Sequence, residues 1–426
     1  MDAGSAVVAA FEAEWGRVVA AVIGATGDWD LAEECAQDAF AKAAVLWPRE
    51  GVPRRPGAWL TTVARNRAID RVRRASRESV WLGEAATLLV GVGDGDGGGG
   101  GEDGFVDDRL RLIFTCCHPA LSMEARVALT LRTLTGMSTA QIARAFLTSE
   151  PTMAKRLVRA KHKIRDARIP YRVPGAEMLP ERLSGVLAVI YLLFNEGYTA
   201  GTDDDPARRG LCAEALRLAR ALNDLLPGEP EVLGLLALLC FHDARRDARL
   251  DAGGELVRLE DQDRSRWDAD EIDEGSAALI AALRHGRSGP YQVQAAIAGC
   301  HATASDAAET DWARIARLYV LLGRLSPSPV VELNRAVAVA AADGAEAGLA
   351  LIGRITASGE LCDYYLLHAA RGDLLGRLGR RAEAAASFRA ALRLAAADAT
   401  EAERRYLQRR VNEFEHAGNE REEEEP

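Results

Sequence analysis

Large rings are scarce in this chain of 426 residues. Only 6% are aromatic, and alanine, leucine and arginine pull the composition toward helix. Cysteine is scarce too: seven residues, an odd number with no framework spacing, which excludes a disulfide-stapled scaffold and fits a reducing cytoplasm. Long apolar runs are absent. Val186–Phe194 and Val232–Phe241, the latter holding Gly234, fall far short of the roughly 20 residues that cross a bilayer, which excludes a membrane protein. The opening residues lack a basic stretch, and acids interrupt their apolar run, so they do not form a signal peptide. No G-x-S-x-G, P-loop or H-E-x-x-H pattern occurs, so common catalytic signatures are missing.

What is present is an uneven charge. The net charge is −10, against a protein coated in nucleic acid. Residues 1–172 hold 24 Lys/Arg against 21 Asp/Glu, and residues 173–426 hold 29 against 42. The first part is near +3 and the second near −13. Arg54–Arg77 has eight basic residues and one acid, Asp70; Lys155–Arg172 has eight and one acid, Asp166. Two separated basic stretches on an acidic chain point to two localised polyanion contacts.

The length favours two to four domains. After a break at Gly24–Asp30, a helix opening near Asp28 or Asp30 turns Leu31, Cys35, Ala39, Phe40 and Leu46 inward, with Glu33, Glu34, Gln37 and Asp38 on its polar face. Pro48, Pro53 and Pro56 then punctuate the chain. The next helix begins at Pro56–Gly57, with Trp59, Leu60, Val63, Ile69 and Val72 inward and Arg67, Arg71 and Arg74 on another face. Gly91–Gly104 holds nine glycines and four acids in 14 residues, the composition of a flexible linker. Beyond it the sequence spells a helix with Val127, Leu131 and Leu134 inward and a turn at Gly136–Ser138. A short helix Thr139–Ala145 and a tight connection lead to a basic helix from Ser149, with Pro151 in its first turn. Met153, Leu157, Ala160 and Ile164 form the inner face of that helix; Thr152, Lys155, Arg156, Arg159 and Lys163 form its outer face. This is a helix-turn-helix pattern, whose second helix fits a major groove.

From about Glu177 to Gly418 the chain is one alanine- and leucine-rich helix after another. Gly372, Ala384, Phe388 and Ala391 fall at tetratricopeptide-repeat offsets. The reading is an all-α protein: a helical bundle over 1–82, a Gly/Asp-rich linker over 83–106, a helix-turn-helix unit over 107–172, a repeat-like helical domain over 173–418 and an acidic tail over 419–426.

Residues 31–47 (LAEECAQDAFAKAAVLW) followed by 56–74 (PGAWLTTVARNRAIDRVRR) resemble region 2 of the sigma-70 family, in particular its extracytoplasmic-function (ECF) group. Residues 129–164 resemble the region 4 helix-turn-helix. Residues 115–121 (TCCHPAL), 191–200 (YLLFNEGYTA), 310–319 and 326–339 resemble an ECF subgroup with a long tetratricopeptide-like C-terminal extension. The resemblance implies a sigma factor that binds core RNA polymerase, β′ and β subunits, and promoter DNA. It places polymerase contacts on Asp30, Glu33, Glu34, Gln37 and Asp38. It places −10 contacts on Arg65, Asn66, Asp70, Arg73 and Arg74, with Trp59 supporting the core, and −35 contacts on Thr152, Lys155, Arg156 and Arg159. It also implies no catalytic activity, no cofactor and no metal, and a C-terminal part that regulates or docks a regulatory protein.

A stand-alone helix-turn-helix regulator with a repeat-type sensor domain is the alternative, and a helical enzyme with a site near Glu196 and Asp203 is a more distant one. Cys116, Cys117 and His118 are compact, but adjacent cysteines have poor zinc spacing, and a packed helix end before Pro119 is the expectation. Asn195, Glu196 and Tyr198 have no histidine or serine partner nearby in sequence, which points to a structural hydrogen-bonding role or a domain contact. Asp203–Asp205 lack calcium-loop spacing. His242, His285, His301 and His368 are scattered singles, read as surface or satisfied core residues.

Overall fold

The computed structural model describes residues 3–81, 102–146, 148–198 and 210–422. The chain divides into two compact units, Met1–Leu193 and Phe194–Pro426. Among the described residues the architecture is helical without a strand; the one β feature is an isolated bridge between Leu250 and Leu256. Among the described residues no helix is long and apolar enough to cross a membrane.

The first unit contains α1 (Ala3–Thr26), α2 (Trp29–Glu50), α3 (Pro56–Trp81), α4 (Glu102–Cys116), α5 (Met123–Thr130), α6 (Thr139–Ala145), α7 (Glu150–Asp166) and most of α8 (Leu179–Tyr198). Asp28 caps α2, its carboxylate accepting from the N–H groups of Asp30 and Leu31 at 3.0 Å each. The helix does not stop at Pro48, as the punctuation suggested. It runs to Glu50 and ends at Gly51, whose φ of 88° suits glycine. Pro48 sits in the last turn, where its absent N–H removes one terminal bond rather than an interior ladder. Cys35, Ala39 and Phe40 are buried as expected, and Phe40 joins Phe11 and Trp15 in a ring cluster with centroids 5.0–5.9 Å apart. On α3, Leu60 is fully buried, but Ile69 is 45% exposed, contrary to the inward reading. Trp59 is half-buried edge-on to Trp47, at 5.7 Å.

The helix-turn-helix forms at the expected positions. Ser122 caps α5, Ser138 and Gln141 make a reciprocal capping box on α6, and Ser149 caps α7. Between α5 and the turn, Leu131–Thr135 widens into a π-helical segment. Gly136 turns the chain at φ 77°, and a side chain there would meet the Phe11 ring at 2.7 Å. Gly16 approaches equally closely: a Cβ on it would lie 2.8 Å from Leu134 O. The first helix therefore packs directly on the helix-turn-helix turn. Tyr171 adds a tie, its hydroxyl 3.0 Å from Ala20 O and 3.1 Å from Asp108 O. Of the linker read over 83–106, residues 83–101 lie outside the described residues, and α4 begins inside it, at Glu102.

In the second unit each helix packs on its predecessor from Leu211–Leu225 through to Glu401–Glu422. Pro230–Asp243 is buried nearly all round, which its apolar run Val232–Phe241 requires. The repeat offsets work as expected in Tyr365–Arg377 and Arg381–Asp398. Ala384, Phe388 and Ala391 are fully buried, and a side chain on Gly372 would strike the Phe388 ring at 2.9 Å.

Candidate functional site

On α7 the inner stripe Met153, Leu157, Ala160 and Ile164 is buried, which turns the opposite face outward. Thr152, Lys155 and Arg159 are exposed and Arg156 is partly so. Ser149 Oγ lies 2.8 Å from Thr152 Oγ1 and accepts from its N–H, fixing the first turn. A groove of about 420 Å³ runs between this face and Ser122 at the start of α5. On its rim, the carboxyl of Glu124 is held below the usual range by its own backbone N–H and the Ser122 hydroxyl, with Arg156 adding to the effect. Four side chains at helical spacing present a cationic surface shaped for a polyanion groove.

The face of α3 carries Asn66, Asp70, Arg73 and Arg74, all exposed, along one stripe at i, i+4, i+7 and i+8. Arg65 is 43% exposed and lies 3.9 Å from Asp108. The neighbouring stripe is engaged otherwise. Arg67 donates to Asp38 at 3.0 Å, and Arg71 reaches both Asp38, at 3.3 Å, and Glu34. The Glu34 hydrogen bond pushes the Arg71 guanidinium further up. Two of the three arginines read as a basic face are thus paired with the acidic face of α2.

Glu33 departs furthest from the sequence reading. It is 7% exposed rather than on a solvated polar face. Arg132 donates to its Oε2 at 2.8 Å, and Lys161 donates to its Oε1 at 2.8 Å and to Asp30 at 2.7 Å. Gln37 is exposed. Arg132 and Lys161 were missed as partners, although Lys161 carries a legible signal. It stands four residues after Leu157 and three before Ile164, on the edge of the inner stripe, where a cation needs an acid.

Cys116 and Cys117 are buried at the end of α4. Cys116 Sγ lies 3.2 Å from Thr133 Oγ1 and Cys117 Sγ 3.6 Å from Thr130 Oγ1. Burial pushes the Cys117 thiol up to about 11, which keeps it protonated and unreactive at neutral pH. Asp203–Asp205 lie outside the described residues. His242 and His301 are core residues whose burial pushes them down to about 3 and about 4; the ring of His368 lies 2.9 Å from Cys362 O.

Residues 11–78 match the family pattern of sigma-70 region 2, and residues 111–164 that of sigma-70 region 4. Residues 182–283 match a family of unknown function, DUF6596. An uncharacterised protein of Rhizobium meliloti (strain 1021) is 48% identical over 370 residues, covering 86% of each chain. No solved structure matches.

Proposed function

The chain belongs to the sigma-70 family as an ECF-like factor with a long helical C-terminal extension, and from that premise we propose how it directs promoter-specific initiation. It is a DNA-binding factor of transcription initiation. In the proposal, α2 grips core polymerase through Asp30, Glu34, Gln37 and Asp38, with Glu33 joining once uncovered. The stripe Arg65, Asn66, Asp70, Arg73 and Arg74 on α3 takes the −10 element. Thr152, Lys155, Arg156 and Arg159 on α7 take the −35 element. Residues 1–82 and 107–172 are then the two promoter-reading domains and 173–418 the regulatory extension. The chain performs no chemistry of its own.

The observation that carries this reading is the outward cationic face of α7 on a capped helix-turn-helix. Each phosphate contact releases counterions, and the arginine forks suit phosphate and guanine edges. Melting unstacks bases at a few kcal/mol per step, so the α3 stripe acts only once polymerase has positioned the strand. The pairing of Glu33 with Arg132 and Lys161 supports a closed form, in which helix-turn-helix cations cover part of the acidic helix. Binding polymerase then requires those cations to withdraw.

The test is run-off transcription with core polymerase and genomic promoter fragments. Transcripts that depend on this factor are expected. Their absence with demonstrably active core enzyme overturns the reading and leaves the stand-alone regulator.

A further inference from the structure

Beyond promoter reading, the second unit holds a cavity of about 560 Å³. Its walls come from distant stretches of that unit. One wall belongs to the segment 249–267, which follows the helix Pro230–Asp243 and reaches across to the last helix, Glu401–Glu422. The segment is tied there: Glu255 accepts from Arg405 at 2.6 Å and from Arg409 at 3.1 Å, and the Gly254 carbonyl accepts from Arg405 at 3.0 Å. Arg264 fixes the far end, donating to the carbonyls of His301 and Ala304 at 2.6 and 2.8 Å. The walls are thus held by the protein's own bonds, which makes the cavity preorganised.

The charged groups on these walls are already matched. Arg258 meets Glu260 at 2.9 Å and Asp261 at 2.7 Å, Asp373 meets Arg410 at 2.8 Å, and Arg377 stands 3.8 Å from Glu260. The neutral polar groups are not. Thr310 lines the cavity at 7% exposure, with His301, Trp312 and Tyr406. Among the described residues none of these four side chains has a hydrogen-bond partner. Burial holds His301 down to about 4 and pushes Tyr406 up to about 12, so both are neutral at pH 7. The imidazole then offers one donor and one acceptor, the two hydroxyls offer both, and the indole offers an N–H. Neutral donors and acceptors on a cavity wall are satisfied by what enters the cavity.

The rest of the lining is apolar and low in relief. Ala307, Ala308 and Ala341 project no more than a methyl group, and Trp312 stands edge-on to His301, centroids 5.0 Å apart. Aromatic surface, small residues and a few neutral donors and acceptors suit a planar ring with a polar edge. An ion requires an unmatched charge, and a sugar requires more polar partners than this wall supplies. We infer that this cavity binds an uncharged heteroaromatic molecule, with its ring against Trp312 and its polar edge hydrogen-bonded to Thr310 and His301.

The experiment follows titration calorimetry and thermal unfolding of the full-length protein with adenine, uracil and lumichrome as neutral rings. Orotate, a carboxylated uracil, and glucose serve as the charged and the non-aromatic counterparts. At least one neutral ring is expected to give a saturable heat and a raised Tm, with orotate and glucose at least about tenfold weaker. Trp312→Leu abolishes the response. Thr310→Val, which keeps the shape and removes the hydroxyl, weakens binding about tenfold. Its Tm in ligand-free buffer stays at the parental value or above, because an unpartnered hydroxyl gives way to a methyl group, which separates lost binding from lost folding. No saturable response to any of the three neutral rings overturns the inference. So does orotate or glucose binding as tightly as the best of them, or an unchanged affinity in Thr310→Val. None of these readouts depends on transcription.

Discussion

Lys161 and Glu33 meet at 2.8 Å across 128 residues of sequence, joining α7 of the helix-turn-helix to α2. Both side chains are largely withdrawn from water, and Arg132 completes the group. Lys161→Met leaves Glu33 with one cation and Asp30 with none from α7. Unfolding stability should fall by about 1–3 kcal/mol. Core-polymerase retention should tighten by about tenfold for each 1.4 kcal/mol taken from the closed form. Denaturant unfolding and a polymerase pull-down check the two effects. Weaker retention in this variant would show that Lys161 does not cover the docking face.

Charge reversal on the exposed acids of α2 separates a polymerase-bound factor from a stand-alone regulator. Glu34→Arg with Asp38→Arg should abolish retention by core polymerase and leave duplex binding through α7 within about twofold. Arg67 and Arg71 lose their partners in this variant, so a matched unfolding curve accompanies the pull-down. Retention at the parental level returns the balance to the regulator.

The outer face of α7 makes a salt-dependent prediction. Removing one phosphate contact at Lys155 or Arg159 should weaken promoter binding for all sequences and lower the log–log salt slope by about one. A base contact by Arg156 or Thr152 should instead relax preference at one position, at a cost of about 1–3 kcal/mol. Holoenzyme binding to −35 variants across a salt series distinguishes the classes.

Much of this was legible because local rules decided it. The turn at Gly136–Ser138 and the start near Ser149 marked the two helices, Pro151 the first turn of the second, and the 3.6-residue stripe of Met153, Leu157, Ala160 and Ile164 its buried face. Phe388 found Gly372 because a ring that large needs a missing side chain opposite. Long-range electrostatics was not legible. The exposed look of Glu33 came from its place beside Glu34, and only the arrival of Arg132 and Lys161 buries it. Pro48 and Ile69 failed for smaller reasons: a helix tolerates proline in its last turn, and an apolar stripe need not stay covered to its end.

Acid sensitivity of the C-terminal unit follows from His301. Burial, followed by the fields of Arg245 and Arg264, lowers its ionisation to about 4, below the unfolded value near 6.5. Between those values the unfolded chain binds the extra proton, so this residue's contribution to stability falls as pH drops from about 6.5 to 4, by about 1.4 kcal/mol per pH unit. Glu271, raised to about 7 by burial and then by Asp243, acts in the opposite sense between about pH 4.5 and 7. The difference between parent and His301→Gln unfolding curves isolates the histidine and should grow toward neutral pH. A pH-independent difference would mean that His301 carries no proton-linked stability.

Phe388 is fully buried, stacked on Phe414 at 5.7 Å. Phe388→Ala should destabilise the protein by about 3–5 kcal/mol, read by thermal unfolding. A loss below 1 kcal/mol would show that the repeat closes over the gap.

The lid on Glu33 arrives late. Its cations lie 99 and 128 residues downstream, and a ribosome adding about 5–20 residues per second takes on the order of 6–25 s to reach the second of them. For that interval a nascent chain presents its acidic helix bare, so a newborn molecule and a finished one offer a passing partner different faces.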